Sequence, residues 1–144
     1  MAIVEVEGFE ALDAMFKELA DIPFDVTAAA LNAMAAVGET ALKRNGEAMG
    51  VRDTSTPTDI LDNITHSKPK QTGDGGFCEV KFKGRRKRGN TVTQNALIAF
   101  ENEYGNRSQA PRPFTRLTAQ QDGDAISAPG EKILGDWMET TAAK

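Results

Sequence analysis

The side chains with the strongest intrinsic chemistry in this chain are its one histidine, His66, and its one cysteine, Cys78. A zinc site built on them needs two further ligands, and no carboxylate stands at a recognisable ligand spacing from either. A thiol nucleophile needs an exposed, polarised sulfur. The alternation of Cys78, Val80 and Phe82 with Glu79, Lys81 and Lys83 instead places the thiol on the apolar face of a strand, in the core. Glu101 and Glu103 form a carboxylate pair, but residues two apart on a helix point away from each other, which gives acid-base hydrolysis little support. Glu103 is better suited to bonding the backbone of the corner that follows it, or to pairing with Arg107 or Arg112. The stretch TGDGG over 72–76 is glycine-rich, but no Gly-Lys-Thr or Gly-Lys-Ser follows, so it reads as a turn and not as a phosphate cradle. No catalytic, cofactor-binding or metal-ligating residue is assigned, and no cofactor is expected.

Charge gives a sharper signal. Arg85, Arg86, Lys87 and Arg88 stand together between Gly84 and Gly89, and six of the 17 Lys and Arg lie within residues 81–88, so the net charge of −4 hides a concentrated basic spot. The glycines predict a mobile basic hairpin tip over 84–90. Such a tip can be solvated, can meet an acidic patch on a neighbouring protein, or can contact a phosphate backbone. An acidic remainder, with no aromatics beside the arginines to stack on bases, disfavours a dedicated nucleic-acid-binding domain. The first fifty residues hold nine carboxylates against three cations, which makes that end acidic and favours head-to-tail association of copies.

The segment FENEYGNRSQAPRPF over 100–114 reads as a rigid corner. Gly105 can take a positive φ, and Pro111 and Pro113 fix the returning chain. Tyr104 and Phe114 are expected to turn inward. With no catalytic group inside it, the corner reads as a surface for another protein, its candidate contact residues being Glu103, Tyr104, Gly105, Arg112, Pro113 and Phe114 together with Arg85, Arg86, Lys87 and Arg88.

The elements that must position these residues follow from periodicity. Val4 and Val6 suit a short strand, and Phe9, Leu12, Met15, Phe16 and Leu19 give an amphipathic first helix. Asp21 is placed to cap a long alanine-rich helix running to about Met49, where Gly50 stops it. Val26, Ala30, Ala33, Met34, Val37, Ala41 and Leu42 form its apolar face, while Ala28, Ala29 and Ala36 leave open either a solvated side or a close subunit contact. Residues 51–59 connect rather than pack, leading through Asp59 into a turn of helix with Ile60, Leu61 and Ile64. Residues 68–76 form a polar turn before the Cys78–Phe82 strand, and Thr91 starts the strand returning from the hairpin. Residues 95–103 carry both strand and helix spacing, with helix favoured. After the corner, residues 114–121 and 129–140 are helical, with a break or kink at Gly123 and Pro129 and Ser127 as a cap. A chain of 144 residues fits one domain over 1–144 of class α+β: an amphipathic N-terminal helix and a long alanine-rich helix packed on a small antiparallel sheet with a long hairpin, then a C-terminal helix. One cysteine excludes an intrachain disulfide. With no charged-then-apolar leader at Met1, a reducing cytoplasm is expected, and the most apolar run, 28–37, is about half the length of a membrane span.

Glu103-Tyr104-Gly105, followed by Ala110-Pro111-Arg112-Pro113-Phe114, resembles the small tail-completion, or neck, proteins of long-tailed bacteriophages and prophages. Their pattern is Glu-aromatic-Gly, a short polar loop, and Ala/Pro-Phe opening a C-terminal helix, and the order of parts matches over roughly residues 3–140. The chain departs from that family after the long helix. A Pro-x-x-Thr-Gly-x-Leu segment is common there, and Thr54-Ser55-Thr56-Pro57-Thr58-Asp59-Ile60-Leu61 stands in its place. The resemblance implies a non-catalytic homo-oligomer ring in the neck of the virion, made in the host cytoplasm. It would join the portal and head-closure proteins to the tail-terminator or tail-tube proteins, with a passing contact to packaged DNA and none to membrane. The competing reading is a nucleic-acid-binding module acting through residues 85–88, and a third is a small hydrolase using Cys78.

Overall fold

Alanine, the residue with the highest helix propensity, dominates the helix Phe24–Ala48 (α1). The structure, a computed structural model, describes residues 22–143 apart from Pro57 and Asp74, so the expected strand at Val4, the helix over 9–19 and the Asp21 cap lie outside the described residues. Pro23 occupies the N-cap position of α1 without a side-chain hydrogen bond, and Asp25 supplies the favourable first-turn charge. At the other end the backbone N–H groups of Met49, Gly50 and Val51 donate to Asn45, Glu47 and Gly46, closing the helix where expected.

The apolar stripe of α1 is wider than the predicted face. Ala30, Ala35, Gly38, Ala41, Leu42, Asn45 and Gly46 are buried, because α1 is packed on two sides. On one side lie the strands, with Gly38 facing Val80 and Gly46 against Leu61. On the other lies a helix over Phe114–Ala142 (α3), which runs antiparallel to α1, Thr118 meeting Asn45, Asp122 meeting Arg44 and Gly130 lying against Met34. Ala29 and Ala36 stay exposed.

Contrary to the sequence expectation, α3 does not break at Gly123 or Pro129. Proline at 129 removes one i→i−4 hydrogen bond, a local cost of about 3 kcal/mol. Packing against α1, the most extensive contact between the described elements, extends to both sides of that position and offsets it. Ser127 does not cap anything, since its hydroxyl donates back to the Gly123 carbonyl at 2.8 Å inside the helix.

Among the described residues the strands form three two-stranded antiparallel ribbons, which with the helices makes the fold α+β. A 3-10 turn, Ile60–Asn63, leads into β1 (Ile64–His66), which pairs with β4 (Val80–Phe82) in the register Ile64 to Phe82 and His66 to Val80. Between them β2 (Lys70–Thr72) pairs with β3 (Gly75–Phe77), so the expected polar turn over 68–76 holds a small hairpin of its own. Cys78 falls outside β4 and is only half-buried, its thiol donating to the Ser67 carbonyl at 2.9 Å, a correction to its expected place in the core. The third ribbon is β5 (Arg85–Arg88) with β6 (Thr91–Gln94), from which the chain enters α2 (Asn95–Tyr104), a helix as favoured by sequence.

The core sits at the end of α1 where it meets α2 and the start of α3. Leu42, Val51, Ile60, Leu61, Ile98, Ala99 and Phe114 form it, with Met49, Ile64, Val80 and Phe82 packed around them. Phe114 is fully buried and meets Phe82 edge-on at 5.8 Å between ring centroids, a favoured aromatic geometry.

Candidate interaction surface

Four consecutive cations would repel one another in a loop, yet residues 85–88 are a paired strand. The tip of the hairpin is therefore only Gly89 and Asn90, and the expected basic tip over 84–90 is corrected to a basic strand. Strand alternation splits the four by face. Arg86 and Arg88 both turn to Asp53, Arg86 Nη1 donating to its carboxylate at 2.8 Å. Arg85 and Lys87 share the opposite face with their cross-strand partners Gln94 and Val92, and among the described residues neither makes an ion pair. Asp53 also accepts from the Ser55 hydroxyl and backbone N–H. These bonds, with the two guanidiniums, hold its carboxyl below the usual carboxylate range.

Residues 51–59 thus anchor the hairpin rather than merely connecting, which the turn-rich sequence concealed. Asp59 is buried and accepts from the N–H groups of Leu61 at 2.9 Å and Asp53 at 2.7 Å, starting the 3-10 turn as expected. Arg52 beside it bridges Asp62 and Glu47. Arg52 first and Lys43 second pull the Asp62 carboxyl down to about 2.

The corner is tied by its own backbone. Gly105 has φ of 78°, and a Cβ there would lie 2.9 Å from both Gln109 O and Pro111 N, so glycine is required on two counts. Asn106 and Gln109 bridge each other, Gln109 Nε2 donates to Asn102 Oδ1, and the Arg112 N–H donates to the Asn102 carbonyl at 2.6 Å. Arg112 Nη1 reaches the Gly50 carbonyl at 2.9 Å, which locks the corner to the end of α1.

Glu103 bonds backbone, as expected, but not within the corner and not with Arg107 or Arg112. It is buried, accepts from the N–H groups of Thr115 and Arg116, and pairs with Arg116 Nε at 3.0 Å. Its carboxylate is the missing cap of α3, whose N-cap position is held by Pro113 with no side-chain hydrogen bond.

Phe114 turns inward as expected, but Tyr104 does not. The buried face of α2 is Asn95, Ile98, Ala99, Asn102 and Glu103, and the helical period turns Leu97, Phe100 and Tyr104 to solvent, 50%, 58% and 58% exposed. Phe100 and Tyr104 pack with their rings tilted at 47° and 4.8 Å between centroids, and the Arg116 guanidinium lies 5.6 Å over the Tyr104 ring. Val92 on β6 is exposed as well. Sequence hydrophobicity missed this inversion because both faces of α2 carry apolar residues. The signal available was that Asn95, Asn102 and Glu103 recur at helical spacing beside Ile98 and Ala99.

No protein-family model, curated protein or solved structure matches this chain. What it offers chemically is therefore judged from its own groups. His66 Nδ1 contacts the Glu39 carboxylate, and among the described residues no group of three His, Cys, Asp or Glu side chains is arranged to hold a metal ion. No described helix is long and apolar enough to cross a membrane. An open, mostly apolar groove lies between α1 and α3, lined by Ala36, Val37, Thr40, Ala41, Arg44, Asp122 and Ala125. The prominent array of groups is instead a strip of Leu97, Phe100 and Tyr104 on α2, which ends in the tied corner and follows in sequence a ribbon with cations on its exposed face.

Proposed function

We propose that this chain is a structural subunit of a bacteriophage or prophage virion, a tail-completion or head-tail connector protein. It assembles into a homo-oligomeric ring between the portal and head-closure proteins and the tail-terminator or tail-tube proteins. The observation that carries this reading is the exposed Leu97, Phe100 and Tyr104 strip on α2, a helix that ends in a corner tied by hydrogen bonds at Gly105, Asn106, Gln109 and Arg112. Large apolar side chains clustered on a rigid surface mark an interface with protein. The sequence resemblance supplies the kind of assembly. The reading assigns no catalysis and no cofactor, and places the chain in the host cytoplasm before assembly and in the virion neck afterwards.

The alternative, nucleic-acid binding through residues 85–88, is weakened by Asp53, which engages Arg86 and Arg88 and leaves Arg85 and Lys87 as the outward cations. Two phosphate contacts give a shallow salt dependence and little affinity at physiological salt. Tight, steeply salt-dependent binding of double-stranded DNA would favour this alternative.

The ring reading is tested by complementation. Particles made without the chain should accumulate as filled heads and free tails, and purified protein should join them. Heads and tails that join without it would overturn the reading. Replacing Arg85 and Lys87 with serine should leave the melting temperature unchanged and lower joining. Replacing Arg86 and Arg88 should also loosen the 51–59 turn, seen as faster amide exchange there.

A further inference from the structure

Three large side chains at least half exposed on one helix face form an apolar strip which, among the described residues, only the Arg116 guanidinium approaches, over the Tyr104 ring. Elsewhere in the chain, residues 9–19 carry the complementary pattern: Phe9, Leu12, Met15, Phe16 and Leu19 at helical spacing, with Glu10, Asp13, Lys17 and Glu18 between them. Residues 1–21 hold six carboxylates and one lysine, whereas the ribbon leading into the strip presents Arg85 and Lys87 outward. We infer that residues 9–19 of one copy of this chain dock on the Leu97, Phe100 and Tyr104 strip of a second copy, their carboxylates facing its Arg85 and Lys87.

Reach decides between the chain's own strip and that of a second copy. The segment joins the body at residue 22, at the start of α1, and α1 is about 37 Å long at 1.5 Å per residue. Both ends of α2 are tied near the far end of α1. The Asn95 N–H donates to Gly84, whose neighbour Lys83 donates to Asn63, and Asn102 accepts from Arg112, whose guanidinium holds Gly50. Between Met15, the middle of the apolar pattern, and Phe24 lie nine residues, which span about 31 Å at the very most. That is less than the length of α1, near whose far end its own strip is tied. A copy displaced along the α1 axis presents its strip within reach.

The contact is heterologous, since the donor segment and the acceptor strip are different surfaces, and repetition gives a closed ring or an open filament. It deepens the ring reading above and rests on it for the closed form.

Two full-length variants test it. Leu12→Ser with Phe16→Ser damages the donor, and Leu97→Ser with Phe100→Ser damages the acceptor at positions already exposed, so circular dichroism and the melting curve of the second should match the unaltered chain. In sedimentation velocity and native mass spectrometry the unaltered chain should form assemblies larger than a dimer. Each variant alone should be monomeric, and a one-to-one mixture should give a dimer and nothing larger, because it retains one intact contact. A third variant, Arg85→Glu with Lys87→Glu, should weaken association at least tenfold at low salt and less at high salt. An unaltered chain that stays monomeric, a donor variant that still associates strip to strip, or a mixture that stays monomeric would overturn the inference. A dimer in the mixture, with heads and tails that join without the chain, would keep this contact and remove the neck reading. Joining that needs the chain, with no association in the mixture, would do the reverse.

Discussion

Glu103 and Phe114 stand eleven residues apart in sequence and act at the same junction, one as cap and one as core. Phe114 is fully sequestered against Phe82, so Phe114→Ala leaves a cavity the surrounding core cannot fill and should cost about 3 kcal/mol in a urea melt. Glu103 accepts two N–H bonds from the first turn of α3 and pairs with Arg116. Glu103→Ala should cost about 2 kcal/mol by the same measurement, combining a lost cap with a lost charge-assisted bond. Glu103→Gln should recover part of it, because its amide oxygen still accepts from one N–H. Phe114 was legible in sequence, since a large aromatic after Pro-Arg-Pro has few places to go but inward. The partner of Glu103 was not legible, because Arg107, Arg112 and Arg116 are all close in the chain and only the path of the corner decides which of them returns to it.

Among the elements, α1 turns two glycines to packed neighbours that sequence treats alike. A Cβ at Gly38 would sit 3.8 Å from Val80 Cγ2, an ordinary contact, whereas one at Gly46 would lie 2.5 Å from Leu61 Cδ2. Glycine to alanine inside a helix gains about 1 kcal/mol from propensity alone. Gly38→Ala should therefore raise stability by about 0.5–1 kcal/mol. Gly46→Ala must displace a buried leucine at a cost of about 1–3 kcal/mol and should come out destabilising. Opposite signs from the two substitutions in one denaturation series check the register of α1 on the 3-10 turn. Helix α3 carries the converse lesson. Gly123 and Pro129 are strong local signals for a break, and the long antiparallel contact with α1 overrides them, a sum over many side chains against one lost hydrogen bond.

For the molecule as a whole, charge sets the response to acid. The Asp62 carboxyl, held at about 2 by Arg52 and then Lys43, is more acidic folded than the roughly 3.9 of an unfolded aspartate. The unfolded chain then binds protons first as pH falls, so stability rises with pH in this range. The contribution is complete above about pH 5 and is lost as pH drops from about 4 through 2; Asp53 and Asp122, both also lowered, act in the same direction. The urea midpoint of Asp62→Asn should match that of the unaltered chain most closely near pH 2 and fall furthest behind it above pH 5. By itself the sequence determined the long alanine-rich helix and its stop at Gly50, the α+β class, the Gly105 corner and the inward Phe114, because propensity, glycine and proline act through neighbouring residues. Only the tertiary structure decided that Tyr104 faces out with Phe100, that Asp53 takes two of the four cations, and that α3 runs unbroken past Pro129. Each of those outcomes depends on which distant surface a helix or strand face meets, and short-range periodicity does not encode that choice.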